Sequence, residues 1–350
     1  LTEEVAGASH GDEEVMTILD VARHAHVSKS TVSRVLNGSP HVASATRERV
    51  LETVSRLDFH ANAAARGLRT TRSFLAGLLV PAISNDVFSR IAEVLEEELR
   101  REGVGLVIVS SGWDPRGERL ALDALRTRRV DALVVSLVND RDATLARLLG
   151  SVTQPTVLLD REIAGTRADV VLTDQRGGIG EALEHLAQLG HRSVAMASLS
   201  TDVRPGRQAV AAFEASVAHL GMDAVAAIPV PYGRINREAG GQIAEEIMAT
   251  PATALLCCVP NSVTAGVLEH LDDRGIEIPR DLSIIAMDES ELASVKKPRL
   301  TVISRRIEDM ARYASSMVTS RLADPGLEPR VEVLPTKLNV GGSTAPAALR

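Results

Sequence analysis

The chain has 350 residues, of which 45% are hydrophobic and only 2% aromatic, and it carries a net charge of −7. That length suits a small head plus a bilobed body whose cores are built from Val, Leu, Ile and Ala. The acidic balance excludes a protein that coats nucleic acid along its whole surface, and without a run of about 18 uncharged apolar residues no membrane span is expected.

Residues 1–15 are acidic and lack an apolar stretch, so they read as a disordered extension rather than a secretory signal, and Met16 precedes the first patterned segment. From 16 to 60 the pattern predicts three short helices. Thr17 is a good N-cap for a helix burying Ile18, Val21, Ala22 and Ala25, with Asp20 three positions on. After a break at 26–28, Ser28 can cap a second helix over 29–36, and Asn37-Gly38-Ser39-Pro40 is a turn signal. A third helix starts near Ser44 and carries Val50, Val54 and Leu57 on one face. Residues 61–73 read as a hinge: an Ala-rich helical stretch over 62–69, then a linker.

From Phe74 onward strands and helices alternate. Strands are predicted at 75–80, 105–110, 132–137, 156–160, 169–174, 193–198, 254–259 and 282–288, with amphipathic helices such as 88–102, 177–189 and 263–274 between them. Apolar strands alternating with helices mean parallel sheets covered on both faces, and the length of this region calls for two lobes over 74–340. Residues 341–350 read as a flexible tail. Ligands in such sheets bind beyond the carboxyl ends of the strands.

Charge is unevenly placed. Residues 16–72 hold nine Lys/Arg against four Asp/Glu, a balance of +5 that leaves −12 on the rest of the chain. A basic head on an acidic body is expected when one end meets phosphate. The second predicted helix presents Lys29, Ser30, Ser33 and Arg34 outward while Val32, Val35 and Leu36 face inward. Short polar residues at the start of an exposed helix fit the major groove, and the fork of Arg34 matches the two acceptors of guanine. Cys257 and Cys258 match no metal or disulfide spacing and read as small buried hydrophobes in a reduced cytoplasm.

The stretch TILDVARHAHVSKSTVSRVLNGSPHVASATRERVLETVSRLDFHANAAARGLRT resembles the head of LacI/GalR-type repressors over its whole length. LAGLLVPAISNDVF, RRVDALVV, LTDQRGGIGEALEHLAQLGHRSVAMAS and IPRDLSIIAMDE continue the resemblance in family order over about 16–340. It implies an all-α helix-turn-helix head on a periplasmic-binding-protein-like α/β core. It further implies a cytoplasmic homodimer that binds near-palindromic double-stranded operator DNA under control of a small-molecule effector, a carbohydrate or related metabolite. DNA contacts carried over are Thr17, Ser28, Lys29, Ser30, Thr31, Ser33, Arg34, Asn37 and His41 in the head, and Asn62, Ala65, Leu68 and Arg69 in the hinge, with Leu68 as the minor-groove wedge. Effector contacts carried over are Asn85, Phe88, Asp160, Arg204, Asn261 and Asp288. Carboxylates with an Arg suit a hydroxyl-rich ligand through paired hydrogen bonds.

Several positions depart from the family pattern. His26 stands where Gly is usual in the turn, a substitution that would cost about 1 kcal/mol if the position needs positive φ, and Gly67 lies inside the hinge helix. Asp86 replaces a usual Pro, Pro260-Asn261 a usual Asn-Asp, and Arg305 a Gln common in relatives. Trp113, the single Trp, is expected in a surface loop. A solute-binding protein of sugar uptake fits the core but leaves residues 17–72 unexplained. An enzyme fits less well: GGIG at 177–180 does not complete a dinucleotide-binding GxGxxG, and neither a cofactor nor a metal is called for.

Overall fold

The computed structural model describes residues 16–36, 39, 41–57, 59 and 72–347. The chain divides into two units between Ser73 and Phe74. The predicted extension at 1–15 and most of the predicted hinge lie outside the described residues.

The head contains α1 (Ile18–His24), α2 (Lys29–Leu36) and α3 (Ser44–Arg56). Thr17 and Asp20 form a capping box: Asp20 N–H donates to Thr17 Oγ1 at 3.4 Å, and Thr17 N–H donates to Asp20 Oδ2 at 3.0 Å. Ser28 Oγ accepts from Thr31 N–H at 3.1 Å and so starts α2. Val21, Val32, Val35, Val50 and Phe59 pack as the apolar centre of the three helices. Between α1 and α2, His26 takes φ of 52°, the left-handed turn that the usual Gly would serve. Arg49 Nε ties α3 to that turn by donating to Ala25 O at 3.0 Å.

The core is built from two six-stranded sheets. The chain first lays down β1 (Leu75–Val80), β2 (Gly105–Ser110), β3 (Ala132–Val135), β4 (Thr156–Leu159) and β5 (Asp169–Thr173). It then builds β6 (Ser193–Leu199), β7 (Asp223–Val230), β8 (Ala254–Cys258), β9 (Ser283–Met287) and β10 (Thr301–Arg305) in the second lobe. Finally it returns to add β11 (Val331–Leu334) to the first sheet and β12 (Thr336–Asn339) to the second. The orders are β11-β5-β4-β3-β1-β2 and β12-β10-β9-β8-β6-β7, one pattern used twice. The pairings are parallel except β10 with β12, which is antiparallel.

The core helices in chain order are α4 (Asp86–Arg101), α5 (Pro115–Thr127), α6 (Ala143–Gly150), α7 (Gln175–Gln188), α8 (Arg204–Leu220), α9 (Arg237–Met248), α10 (Asn261–Asp273), α11 (Glu291–Val295) and α12 (Ile307–Ala323). On one face of the first sheet, Ile91 and Leu95 of α4 and Val318 of α12 pack with Leu78 and Val134. On its other face Leu125 of α5 and Leu145 of α6 pack with Leu133. The second sheet is covered by α7 and α8 through Leu183 and Phe213, and by α9 and α10 through Ile243 and Val267. Burial on both faces is why the inner strands β1, β3, β4, β8 and β9 read as nearly continuous apolar runs instead of alternating.

The chain passes between the lobes at Asp174, Arg306 and Pro335. Asp174 N–H donates to Leu334 O at 2.9 Å, and Thr336 Oγ1 donates to Asp174 O at 2.8 Å. Gly178 belongs to this junction, since a Cβ there would overlap Ile303 and Thr336. The GGIG run therefore lets α7 approach the crossing strands.

Two expectations are corrected. Residues 341–347 are bound rather than flexible: Ser343 is fully buried, its Oγ donating to Ile284 O at 2.6 Å and accepting from Thr301 N–H at 2.8 Å. Trp113 does follow β2 in a loop, but it is half-buried between Phe88 and Tyr232, with ring centroids 6.4 and 6.0 Å away.

Candidate functional site

In the head, burying Val32 and Val35 turns the opposite side of α2 to solvent. Lys29, Ser30 and Arg34 are exposed, as are Ser28 before the helix, Thr17 at the cap of α1 and His41 before α3, while Thr31 and Ser33 are half-buried. Ser28 Oγ also bonds Ser30 Oγ and Thr31 Oγ1, each at 2.8 Å, which fixes the hydroxyls of the first turn. No acid lies in that turn, so its free N–H groups keep their positive end. The other predicted DNA contacts, Asn37, Asn62, Ala65, Leu68 and Arg69, lie outside the described residues.

In the core, a cleft between the lobes is lined by Asn85, Phe88, Asp160, Asn261 and Asp288 of the predicted set, together with Trp113, Ser136, Arg161, Gln175 and Arg305. Asp160 follows β4 and Asp288 follows β9, strands in the same place in the two sheets. Their N–H groups donate to matching carbonyls, Val171 O at 2.8 Å and Ile303 O at 2.9 Å. Both take positive φ, 50° and 69°. Neither caps a helix; the carboxylates serve the cleft instead.

Their partners differ. Asp160 accepts from Thr173 N–H at 2.6 Å and Thr173 Oγ1 at 3.0 Å. Asp288 accepts both arms of the Arg305 guanidinium, Nε at 2.6 Å and Nη2 at 2.5 Å. Arg305 then crosses the cleft, its Nη1 donating to Asp160 Oδ2 at 3.1 Å. Burial alone would lower the Arg305 pKa, but the Asp288 and Asp160 carboxylates outweigh it and hold the group above its ordinary value. Asn85 caps α4, accepting from Val87 N–H at 3.0 Å, and Asn261 Nδ2 donates across the mouth to Asp86 Oδ2 at 2.9 Å.

Arg204 does not line the cleft. It is buried at the start of α8, where its Nε reaches Glu162 Oε2 and its Nη1 reaches Thr173 O, both at 3.1 Å. With Arg207 bonded to Asp140 at 2.8 Å, it joins the lobes at a second place. The residues that sequence reading did not assign to the cleft include Arg161, whose Nη1 donates to Asp160 O at 2.9 Å and whose Nε donates to Leu137 O. Its position directly after the strand-end Asp160 was the available signal. Cys258 also lines the cleft, and burial pushes its thiol up to about 12, so it is an apolar wall and not a nucleophile at neutral pH.

Residues 17–62 match the bacterial regulatory proteins of the lacI family, and residues 183–344 match the periplasmic binding protein-like domain. The chain is 30% identical over 309 residues to the HTH-type transcriptional regulator GalR of Escherichia coli K12, covering 88% of this chain and 89% of GalR. The chain belongs to the LacI/GalR family of bacterial transcription regulators. Another LacI/GalR relative, catabolite control protein A of Priestia megaterium, is 26% identical over 332 residues, 94% of this chain and 99% of that protein. The fold is that of the lac repressor dimer bound to operator and the anti-inducer ONPF, with a TM-score of 0.82, 22% identity, and coverage of 95% of this chain and 100% of that one. This LacI/GalR member is therefore a DNA-binding transcription regulator with a helix-turn-helix head and a ligand-binding core.

Proposed function

We propose that the protein is a repressor that binds a near-palindromic operator as a homodimer, under control of a small polyhydroxylated effector held between its lobes. The observation that carries the reading is α2: Lys29, Ser30 and Arg34 face solvent while Val32 and Val35 anchor the helix from behind. That arrangement lets the start of the helix enter a major groove with its polar side chains at the base edges. A two-fold dimer reads two half-sites, hence the near-palindrome. In the cleft, Asn85, Asp160, Asn261 and Asp288 supply the acceptors and donors that hydroxyl groups need, and Phe88 and Trp113 supply an apolar face. The work is done in the cytoplasm, where bacterial DNA lies.

Selection of duplexes from a random pool by the full chain tests the reading. The selected site is a near-palindrome, and Arg34→Ala weakens binding to it by about 1–3 kcal/mol while leaving non-specific duplex nearly unaffected. Equal losses on both duplexes would overturn the base-reading role of α2.

A further inference from the structure

Two side-chain bridges span the cleft. Arg305 grips Asp288 in its own lobe and Asp160 in the other. Asn261 of the second lobe bonds Asp86 of the first. The three groups of the central bridge are nearly withdrawn from water, with side chains 13%, 8% and 11% exposed for Arg305, Asp160 and Asp288. The repeated sheet order makes the origin of the bridge plain. Thr173 lies two residues beyond Val171 and Arg305 two beyond Ile303, the carbonyls to which Asp160 and Asp288 donate. At the Thr173 position a short hydroxyl serves only its own lobe's Asp. At the equivalent Arg305 position a long forked cation serves both lobes. The pocket enclosed around Arg305, Asp160 and Asp288 holds about 70 Å³, well below the roughly 300–1,000 Å³ of sites that enclose a drug-sized ligand.

We propose that Arg305 is a built-in occupant of the cleft: its bridge from Asp288 to Asp160 holds the two lobes closed, and an effector has to compete with it for those carboxylates. This rests on the reading of the cleft as the effector site, and it adds a specificity rule to that reading. A ligand that displaces Arg305 must donate to the two carboxylates it has left, which hydroxyl groups do and an acid does not. Removing Arg305 leaves two carboxylates facing each other across a buried gap, an arrangement that favours the open form.

Trp113 supplies the readout, since it is the only Trp in the chain and stacks on Tyr232 of the opposite lobe. In Arg305→Gln the bridge is gone, and Tyr232 moves away from the indole as the lobes part. Emission of the full-length variant shifts to longer wavelength, and acrylamide quenches it more strongly than the unsubstituted protein. Asp288→Asn with Arg305→Gln removes the facing charges, protecting the fold, and gives the same shift because the bridge is still missing. Wild-type emission and quenching in both variants, with unchanged far-UV circular dichroism, would overturn the proposal. The measurement needs neither DNA nor effector. Operator binding by the same preparations reports on the regulator reading separately, so either idea can fail without the other.

Discussion

At Asp160 and Asp288 the backbone and the charge serve one purpose. A left-handed backbone costs a non-Gly residue about 1 kcal/mol, less for Asp than for most. Here it turns each carboxylate off the end of its strand into the cleft. Both acids line the cleft, and the family resemblance, which matched them to pocket positions, was the signal for them. Their bridging cation was not legible, because Arg305 is 145 residues from Asp160 and local pattern carries no trace of the contact. Arg204, carried over from the family resemblance, is held instead by Glu162 and Thr173 O, contacts that are also distant in sequence.

Glu118 is the residue with the clearest consequence for pH. It is fully buried, one oxygen accepting from Val138 N–H and the other without a partner, and burial pushes its pKa from 4.5 to about 8. Between those values the folded protein holds a proton that the unfolded chain releases. The stability tied to that proton is fully present below the lower value and is lost as pH rises through the upper one, at about 1.4 kcal/mol per pH unit inside the window. Urea midpoints between pH 5 and 9 read this directly. Glu118→Gln flattens the decline, and a decline as steep as the unsubstituted protein's would place its cause elsewhere.

At the scale of elements, long apolar strands and amphipathic helices were readable to within a few residues: 75–80 and 105–110 are strands as expected, and the helix expected at 177–189 is α7. β7, β10, β11 and β12 were not foreseen. The last two are four-residue edge strands with exposed positions and a Lys or Glu in each, and their places depend on the chain returning to sheets laid down much earlier. What fixes that return is partly electrostatic. Asp169, wholly buried at the start of β5, accepts from Arg321 of α12 at 2.7 and 3.2 Å and from Arg330 N–H at 2.6 Å. Asp169→Ala strands the Arg321 charge in the interior and lowers unfolding free energy by about 3–5 kcal/mol. Denaturant titration measures it, and a loss under about 1 kcal/mol would mean that water replaces the carboxylate.

For the molecule as a whole, one lobe pattern is used twice and the backbone passes between the lobes at Asp174, Arg306 and Pro335. Such a core is suited to a two-state movement, because a small change in lobe angle alters many cross-cleft bonds together. A ligand shifts that balance only by its differential affinity for the two arrangements, and Arg305 sets the value it must exceed. Division of charge complements this design: +5 over residues 16–72 against −12 on the rest favours approach of the head, not the body, to a polyanion.

A salt titration of binding to the selected operator, run beside a scrambled duplex, bears most directly on the central claim. If the paired heads neutralise about eight phosphates, the logarithm of the binding constant falls against the logarithm of salt concentration with a slope near −7, and the operator stays tighter than the scrambled duplex throughout. A slope near zero, or equal affinity for the two duplexes, would contradict a head built for sequence-specific, phosphate-anchored binding.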